Sequence, residues 1–447
     1  MKLLKCFLLT ILLSTGGLVF GEEMDIKEVI NNLQKRIEIL EKKVSGTTSY
    51  IESQERILRL QEEKIKDYES KLLDLGYSSK GFQAKEIIQG LEIGASATMV
   101  VQGTNNVNRF DEVDKKRRQT DASYSLDITL SKDFPEQNGK LFLHLESGEG
   151  EGLEDNLTLY SNVNYDANNE NNVSLTELWY EQAFWEDRLI VNFGKLDPTA
   201  YFDKNEVAND ETTQFLARIF RNSPVIEFPD NSLGIKIGYL PKEWLEFGYG
   251  CFEGDSDWEK IGDSVFNIVQ VTFKTNFFDL AGNWRFLGWH SNNNHIKWLD
   301  LTKEKEDSYG FGLSFDQMIN DAVTIFLRYG WQEEKFYNPE ITAVPDLNYS
   351  LEHSYSLGFH IKGNLWGRDN DVLGLAFGQV FASDDYKKVN EIKAKSETHI
   401  ESYYRIKVNE HLSLSPDLQY IINPFGKDII DDTKSIFIGG LRVQMDY

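Results

Sequence analysis

The sequence predicts an all-β transmembrane barrel of about 16 antiparallel strands, preceded by an α-helical coiled coil. Three observations carry this expectation. Hydrophobic residues alternate with a period of two from about Leu91 to the C-terminus, the connections between those segments alternate in length with strand parity, and an unbroken heptad register occupies the stretch from Ile26 to Leu75. The organisation expected is a signal peptide over residues 1–21, a coiled coil over 22–78, a linker over 79–90 and a barrel over 91–447.

The chain opens with Lys2 and Lys5 ahead of an apolar run from Cys6 to Leu13, and Val19 and Gly21 offer small-residue cleavage positions, as in a secretory signal peptide. Cys6 precedes the apolar run and no cysteine follows it near Gly21, which disfavours a lipoprotein signal. Cleavage would leave Cys251 as the single cysteine, which excludes an intramolecular disulfide framework and a cysteine-cluster metal site.

The next segment keeps one register throughout. Its a positions are Ile30, Ile37, Val44, Ile51, Leu58, Ile65 and Leu72; its d positions are Ile26, Leu33, Leu40, Thr47, Gln54, Gln61, Tyr68 and Leu75. A narrow a/d stripe of this length argues for a coiled coil rather than a helix lying on a domain, whose apolar stripe would be wider. At the α-helical rise the rod is about 75 Å long. Ile or Val at a with Leu at d favours two strands, whereas the polar d positions blur that rule, so a dimer and a trimer both stay open.

Composition bounds the remainder. The net charge is −25 with 40% hydrophobic residues. Beyond the leader no run approaches the roughly 20 apolar residues of a spanning helix, and such acidity disfavours nucleic acid as a partner. A secreted β protein and an outer-membrane barrel remain, because barrel strands are only half apolar.

Sixteen candidate strands begin near Leu91, Ser123, Leu141, Val173, Leu189, Leu233, Trp244, Val265, Leu280, Tyr309, Val323, Leu351, Val372, His399, Leu412 and Ile436. In the tenth, Tyr309, Phe311, Leu313 and Phe315 oppose Gly310, Gly312 and Ser314; in the twelfth, Leu351, His353, Tyr355, Leu357, Phe359 and Ile361 share one face. Connections after even strands are short (Phe184 to Arg188, Leu240 to Trp244, Lys274 to Phe277, Val408 to His411), and those after odd strands are generally long (Gly148 to Asn172, Gly194 to Asp230, His290 to Asp307, Tyr337 to Tyr349). Short periplasmic turns and long external loops produce this asymmetry; a β-sandwich does not. Both chain ends then lie in the periplasm, and the expected address is the outer membrane of a Gram-negative-type bacterium. The last strand places Phe437, Leu441, Val443, Met445 and Tyr447 on one face, Arg442, Gln444 and Asp446 on the other. Nine Trp and twenty Tyr suit two interfacial aromatic girdles.

The stretch Gly194 to Asp230 breaks the alternation. It follows the fifth strand, which makes it the third external loop, and its aromatic and charged content favours an ordered, functional segment. Its residues Gly194, Lys195, Leu196, Asp197, Phe202, Asp203, Asn205, Asn209, Gln214, Phe215, Asn222 and Pro224 resemble the carbohydrate-selective porin (OprB-type) family. The likeness extends weakly from the GKLFLHLESGEG segment to INPFGK and GLRVQMDY. It implies passive, sugar-preferring diffusion through a barrel whose third loop folds into the lumen and narrows it.

The chemistry of the loop fits a sugar, which offers an apolar C–H face and a rim of hydroxyls. Tyr201 and Phe215 can stack, and Asp203, Asn205, Asn209, Gln214, Arg218 and Arg221 can hydrogen-bond; with Asp197 these are the candidate constriction and substrate-contact residues. The competing reading is that Asp203, Lys204, Glu206, Arg218 and Arg221 only pin the loop to the wall. Candidate lumen-lining residues on strands are Glu177, Glu181, Arg328, Glu401 and Arg405.

Catalysis finds little support. His290 and His295 lie in an HSNNNH stretch expected to be an exposed loop, without a carboxylate at ligand spacing, so neither a metal nor another cofactor is expected. His144 and Ser147 point to opposite faces of one strand. The expected partners are outer-membrane lipid, small sugars or ions as solutes, further copies of the chain in a trimer or dimer, and a periplasmic partner of the coiled coil. Two alternatives stay open: a general or cation-preferring porin, and an envelope tether in which the barrel is only an anchor.

Overall fold

A computed structural model describes residues 90–109, 118–167, 172–339, 342–344, 347–427 and 434–447. The signal-peptide and coiled-coil readings, and all but the last residue of the linker, lie outside these residues.

Sixteen long strands form the wall: β1 (Leu91–Thr104), β2 (Gln119–Phe134), β3 (Gly139–Glu149), β4 (Ser174–Phe184), β5 (Leu189–Leu196), β6 (Ser232–Lys242), β7 (Leu245–Glu253), β8 (Val265–Phe277), β9 (Leu280–Lys297), β10 (Glu306–Met318), β11 (Val323–Gln332), β12 (Leu351–Lys362), β13 (Val372–Ala382), β14 (Glu397–Lys407), β15 (Leu412–Ile422) and β16 (Ile436–Asp446). Each pairs antiparallel with its sequence neighbour, and β16 pairs with β1 through Ser96↔Asp446 to Thr104↔Ile438, so the sheet is closed. Closure leaves no strand edge unpaired, which a sheet in hydrocarbon requires.

The burial pattern is inside out relative to a soluble sandwich. Met99, Leu126, Phe193, Phe286, Phe311, Leu357, Ile400 and Leu418 are exposed on the outer face, while Gln102, Gln270, Arg285, Asp316, Arg328, Glu401, Asp417 and Arg442 are buried within. Aromatic contacts gather near both ends of the wall. Trp244, Phe273, Phe286, Phe315 and Trp284 touch in series beside the short turns, and Tyr309, Trp331, Phe311 and Tyr329 do so towards the long loops.

Three local expectations are corrected. Strand β8 continues through Phe277, and the turn is made by Phe278 and Asp279, both at positive φ, a backbone that matches hairpin twist. His290 and His295 are not in a loop: β9 runs on to Lys297, because its extension pairs with β10 and with the short strand Phe336–Tyr337. In β12 the register shifts between Leu351 and His353, so Leu351 leaves the outward series and packs inside opposite Ala382.

The interior is filled chiefly by two external loops. The third, between β5 and β6, buries Phe215, Ala217, Ile219, Phe220 and Val225 against Phe326, Ala376, Val380 and Tyr403 of the wall. The second, between β3 and β4, buries Leu153, Leu157, Leu159 and Val163 against Ile421, Ile436 and Ile438. Glycines on the inner wall admit the third loop: a Cβ on Gly330 would lie 2.2 Å from the Ser223 hydroxyl, and one on Gly378 would lie 2.6 Å from the Ile219 Cδ1.

Candidate functional site

The third loop is fixed to the wall by polar contacts made in sequence along its length. The Asp203 carboxylate accepts the Ser223 N–H at 2.7 Å and pairs with Arg328 of β11 at 3.3 Å. Arg328 also donates to the backbone carbonyls of Asp203 and Phe220, at 2.9 and 2.5 Å. Asn205 donates to the Phe315 carbonyl at 2.9 Å, and Glu206 lies 3.3 Å from Arg285. Glu401 of β14 accepts the N–H groups of Leu216 and Ala217 at 2.6 and 3.1 Å, and Arg442 of β16 donates to the carbonyls of Glu211 and Gln214. These partners come from β9, β10, β11, β14 and β16, so the loop crosses the lumen instead of standing above it.

The space left open is a cavity of about 780 Å³ between the loop and the wall of β1 to β4. Asp197, Glu211, Arg218 and Arg221 line it from the third loop, Tyr165 and Asp166 from the second, and His144, Glu146 and Glu177 from β3 and β4. Arg221 is the hub. It pairs with Glu211, donates to Thr199 at 2.9 Å and Asn222 at 2.6 Å, approaches Asp197 at 3.8 Å, and its guanidinium sits 4.9 Å from the Tyr165 ring centre. Arg218 reaches the same ring at 5.9 Å.

Carboxylates line both sides of this gap, and the cations Arg218 and Arg221 come from the third loop. The wall side carries Asp127 and Glu177 around His144, at 2.9 and 3.8 Å, with Asp166 receiving the Ser125 hydroxyl at 3.0 Å. Burial, then the neighbouring Glu211, raises the Asp166 carboxyl well above its ordinary range. Burial also raises Glu211, against the opposing pull of Arg221. Asp210 is lowered: burial acts upward, and hydrogen bonds from Thr212 and Thr213 outweigh it. A lumen with an excess of carboxylates, in which the third loop sets two guanidinium groups beside Asp197 and Glu211, orients a dipolar solute and filters ions.

The candidate residues read from the sequence divide into two groups. Asp197, Arg218 and Arg221 line the cavity, as does Glu177. Tyr201 is half-buried, with the Lys236 ammonium 5.3 Å from its ring. Asp203 and Asn205 are buried in the wall contacts described above. Phe215 is 1% exposed and packs against Phe220, Phe326 and Tyr403, at centroid distances of 5.3, 5.6 and 4.9 Å. Gln214 accepts the Asn209 N–H at 2.6 Å and so closes a turn of the loop, while the Asn209 amide lies 3.4 Å from Arg328. Of the strand candidates, Arg328 and Glu401 are covered by the loop, Arg405 reaches the Thr213 carbonyl at 3.5 Å, and Glu181 accepts from Asn192 at 2.9 Å. His295, expected to be exposed, is fully buried and bonded to Glu227 at 2.6 Å; His290 is exposed, 3.1 Å from Asp307.

Tyr165 and Asp166 were missed by sequence reading. By loop length alone the second loop is only a long connection, and the one signal for its insertion is the apolar series Leu153, Leu157, Leu159 and Val163, which an exposed loop has no reason to carry.

A closed barrel with an apolar outer belt, a polar interior and a lumen narrowed by an inserted loop defines a porin-class channel of the outer membrane. The sequence profile of the carbohydrate-selective porin, OprB family, matches residues 144–447, and the chain belongs to that family. It is 23% identical to Porin B of Pseudomonas aeruginosa over 319 residues, 60% of this chain and 67% of that one. It is 24% identical to Porin AaxA of Chlamydia abortus over 262 residues, 56% of this chain and 53% of that one. The chain thus spans about half to two-thirds of the length of the curated relatives it matches. The solved OprB of Pseudomonas putida shares the fold, with a TM-score of 0.67 at 16% identity, over 82% of this chain and 96% of that one.

Proposed function

We propose that the protein lets small hydrophilic solutes, carbohydrates in preference, diffuse passively across the outer membrane, with the third external loop as its constriction. One observation carries this reading: an aromatic face, Tyr165, is exposed at the open cavity beside two guanidinium groups and the carboxylates of Asp197 and Glu211. That is the donor, acceptor and stacking set a pyranose uses. Of the substrate-contact candidates, the reading rests on Asp197, Arg218 and Arg221, which face the open space; Asp203, Asn205, Gln214 and Phe215 serve it by holding the loop.

The acidic wall of Asp127, Glu146, Asp166 and Glu177 favours a second reading, a cation-preferring channel. Reversal potential in a salt gradient, recorded in the same planar bilayer as current block by sugars, separates the two. A channel that conducts ions and is blocked by none of a panel of sugars overturns the carbohydrate reading.

The heptad register supports a further proposal: residues 22–78 pair with identical neighbours in the periplasm, which makes the protein a homo-oligomer, a trimer or a dimer. Mass measurement of the full chain in detergent tests it, and a monomer overturns it. Deleting Met24 to Leu75 tests the tether: normal conduction with a detached outer membrane would make anchoring the rod's main task.

A further inference from the structure

The fourth external loop, between β7 and β8, holds a group of carboxylates that the channel reading does not use. Glu253, Asp255 and Asp257 each bring one oxygen to within 4.8 Å of the others. Like charges at that spacing repel, so the group gains from compensation. Backbone donors do so in part: Glu253 accepts the Trp258 N–H at 3.2 Å, and Asp257 accepts the Glu259 N–H at 2.7 Å. Among the described residues no Lys or Arg pairs with any of the three.

A second observation points to a ligand. Glu253 is only 4% exposed, and its Oε1 is enclosed with no hydrogen-bond partner; Asp255 Oδ1 is enclosed and unpartnered as well. Two carboxylate oxygens withdrawn from water without a donor are costly unless a cation sits between them. The ends of the loop are tied by the Gly254 N–H to the Ser264 carbonyl at 3.1 Å, so the group does not depend on a free strand end.

We propose that Glu253, Asp255 and Asp257 bind a divalent cation, Ca²⁺ in preference to Mg²⁺, on the external rim of the barrel. Oxygen-only ligands from one short flexible loop suit the larger ion, which accepts irregular geometry, whereas Mg²⁺ demands a near-ideal octahedron. An affinity on the order of 10⁻⁴ to 10⁻³ M is expected, as in extracellular Ca²⁺ modules. Because Gly254, Asp255 and Ser256 also line the open cavity, the bound ion offsets negative charge beside the solute path. This site stands independently of the sugar reading.

The test uses the full-length protein in detergent, stripped with chelator. Tb³⁺ is titrated with excitation of the adjacent Trp258, then displaced by Ca²⁺ and separately by Mg²⁺. A single saturable phase, displaced by Ca²⁺ at least tenfold more effectively than by Mg²⁺, is expected. The double variant Glu253→Gln/Asp255→Asn should weaken binding at least tenfold while Glu259→Gln leaves it unchanged. Heat-modifiable mobility on a gel establishes that each variant is folded; if the double variant does not fold, Asp257→Asn alone is titrated. Unaltered binding in a folded Glu253→Gln/Asp255→Asn or Asp257→Asn variant, Mg²⁺ displacing as well as Ca²⁺, or no saturable phase in the parent would each overturn the proposal.

Discussion

Arg328 of β11 and Asp203 of the third external loop form an ion pair of 3.3 Å in which each side chain is 1% exposed. Burial holds the Asp203 carboxyl above its ordinary range even with Arg328 and the Ser223 N–H pulling it down. Replacing Arg328 by Met removes the partner and leaves an uncompensated buried acid, a loss that costs about 3–5 kcal/mol. The temperature of the heat-modifiable gel shift should drop, and single-channel traces should become noisier as the loop loosens. Adding Asp203→Leu to Arg328→Met should recover most of the temperature, since an apolar pair can replace a buried ion pair. If the single variant melts with the parent, the pair does not anchor the loop.

Gly378 offers a test of loop position that leaves charge untouched. Its missing side chain makes room for Ile219, and a Cβ there would fall 2.6 Å from the Ile219 Cδ1. Gly378→Val should therefore displace the loop from the wall and raise single-channel conductance, since the narrowest segment dominates a series resistance. Ile219→Ala in the Gly378→Val background should restore the parental value. Parental conductance in Gly378→Val would mean that this contact does not set the constriction.

How much of this was legible in the sequence follows the range of the interactions. Strand starts were readable to within a few residues because alternation is local and the lipid face imposes it on every strand. The third loop was readable as a break in that alternation. Which aromatic residues of the inserted loops face solute was not, because Phe215 of the third loop and Tyr165 of the second both offer an aromatic ring and differ in what folds over it: Tyr403 and Phe326 cover the first, and the arginines of the third loop border the second. The inward turn of Leu351 depends on a register shift against β13, and the burial of His295 depends on Glu227, 68 positions away.

Glu154 ties the second loop together by accepting the N–H groups of Val163 and Asn164, at 2.5 and 2.7 Å. Burial pushes its carboxyl up to about 7, against the opposing effect of those two donors. The folded loop thus holds a proton that the unfolded loop has released, so its stability is fullest below pH 4.5, falls as pH rises from there to about 7, and is flat above. Hydrogen exchange over residues 153–165, corrected for intrinsic rate, should show protection declining between pH 5 and 7.5. Glu154→Gln keeps an acceptor without the charge and should flatten the profile. A parental profile that is already flat rules out Glu154 as the titrating group.

The cavity arginines are not equivalent, and their difference tests the site. Arg218 is bound to neighbours chiefly through the Tyr165 ring, whereas Arg221 compensates the buried Glu211 and braces Thr199 and Asn222. Arg218→Ala should therefore remove one positive charge from the lumen and little else. A unit charge about 6 Å from an ion in water is worth about 0.7 kcal/mol, gained by the cation and lost by the anion, so the cation-to-anion permeability ratio should rise about tenfold. Arg221→Ala should shift selectivity in the same sense and in addition lower the gel-shift temperature, because Glu211 is left without its partner. Tyr165→Ala, with no change of charge, should weaken sugar block while leaving the reversal potential where it was. Reversal potential, block and gel-shift temperature measured on the three variants separate charge, stacking and anchoring. Sugar block that survives both Arg218→Ala and Tyr165→Ala would show that solute takes a path other than the cavity between the second and third loops.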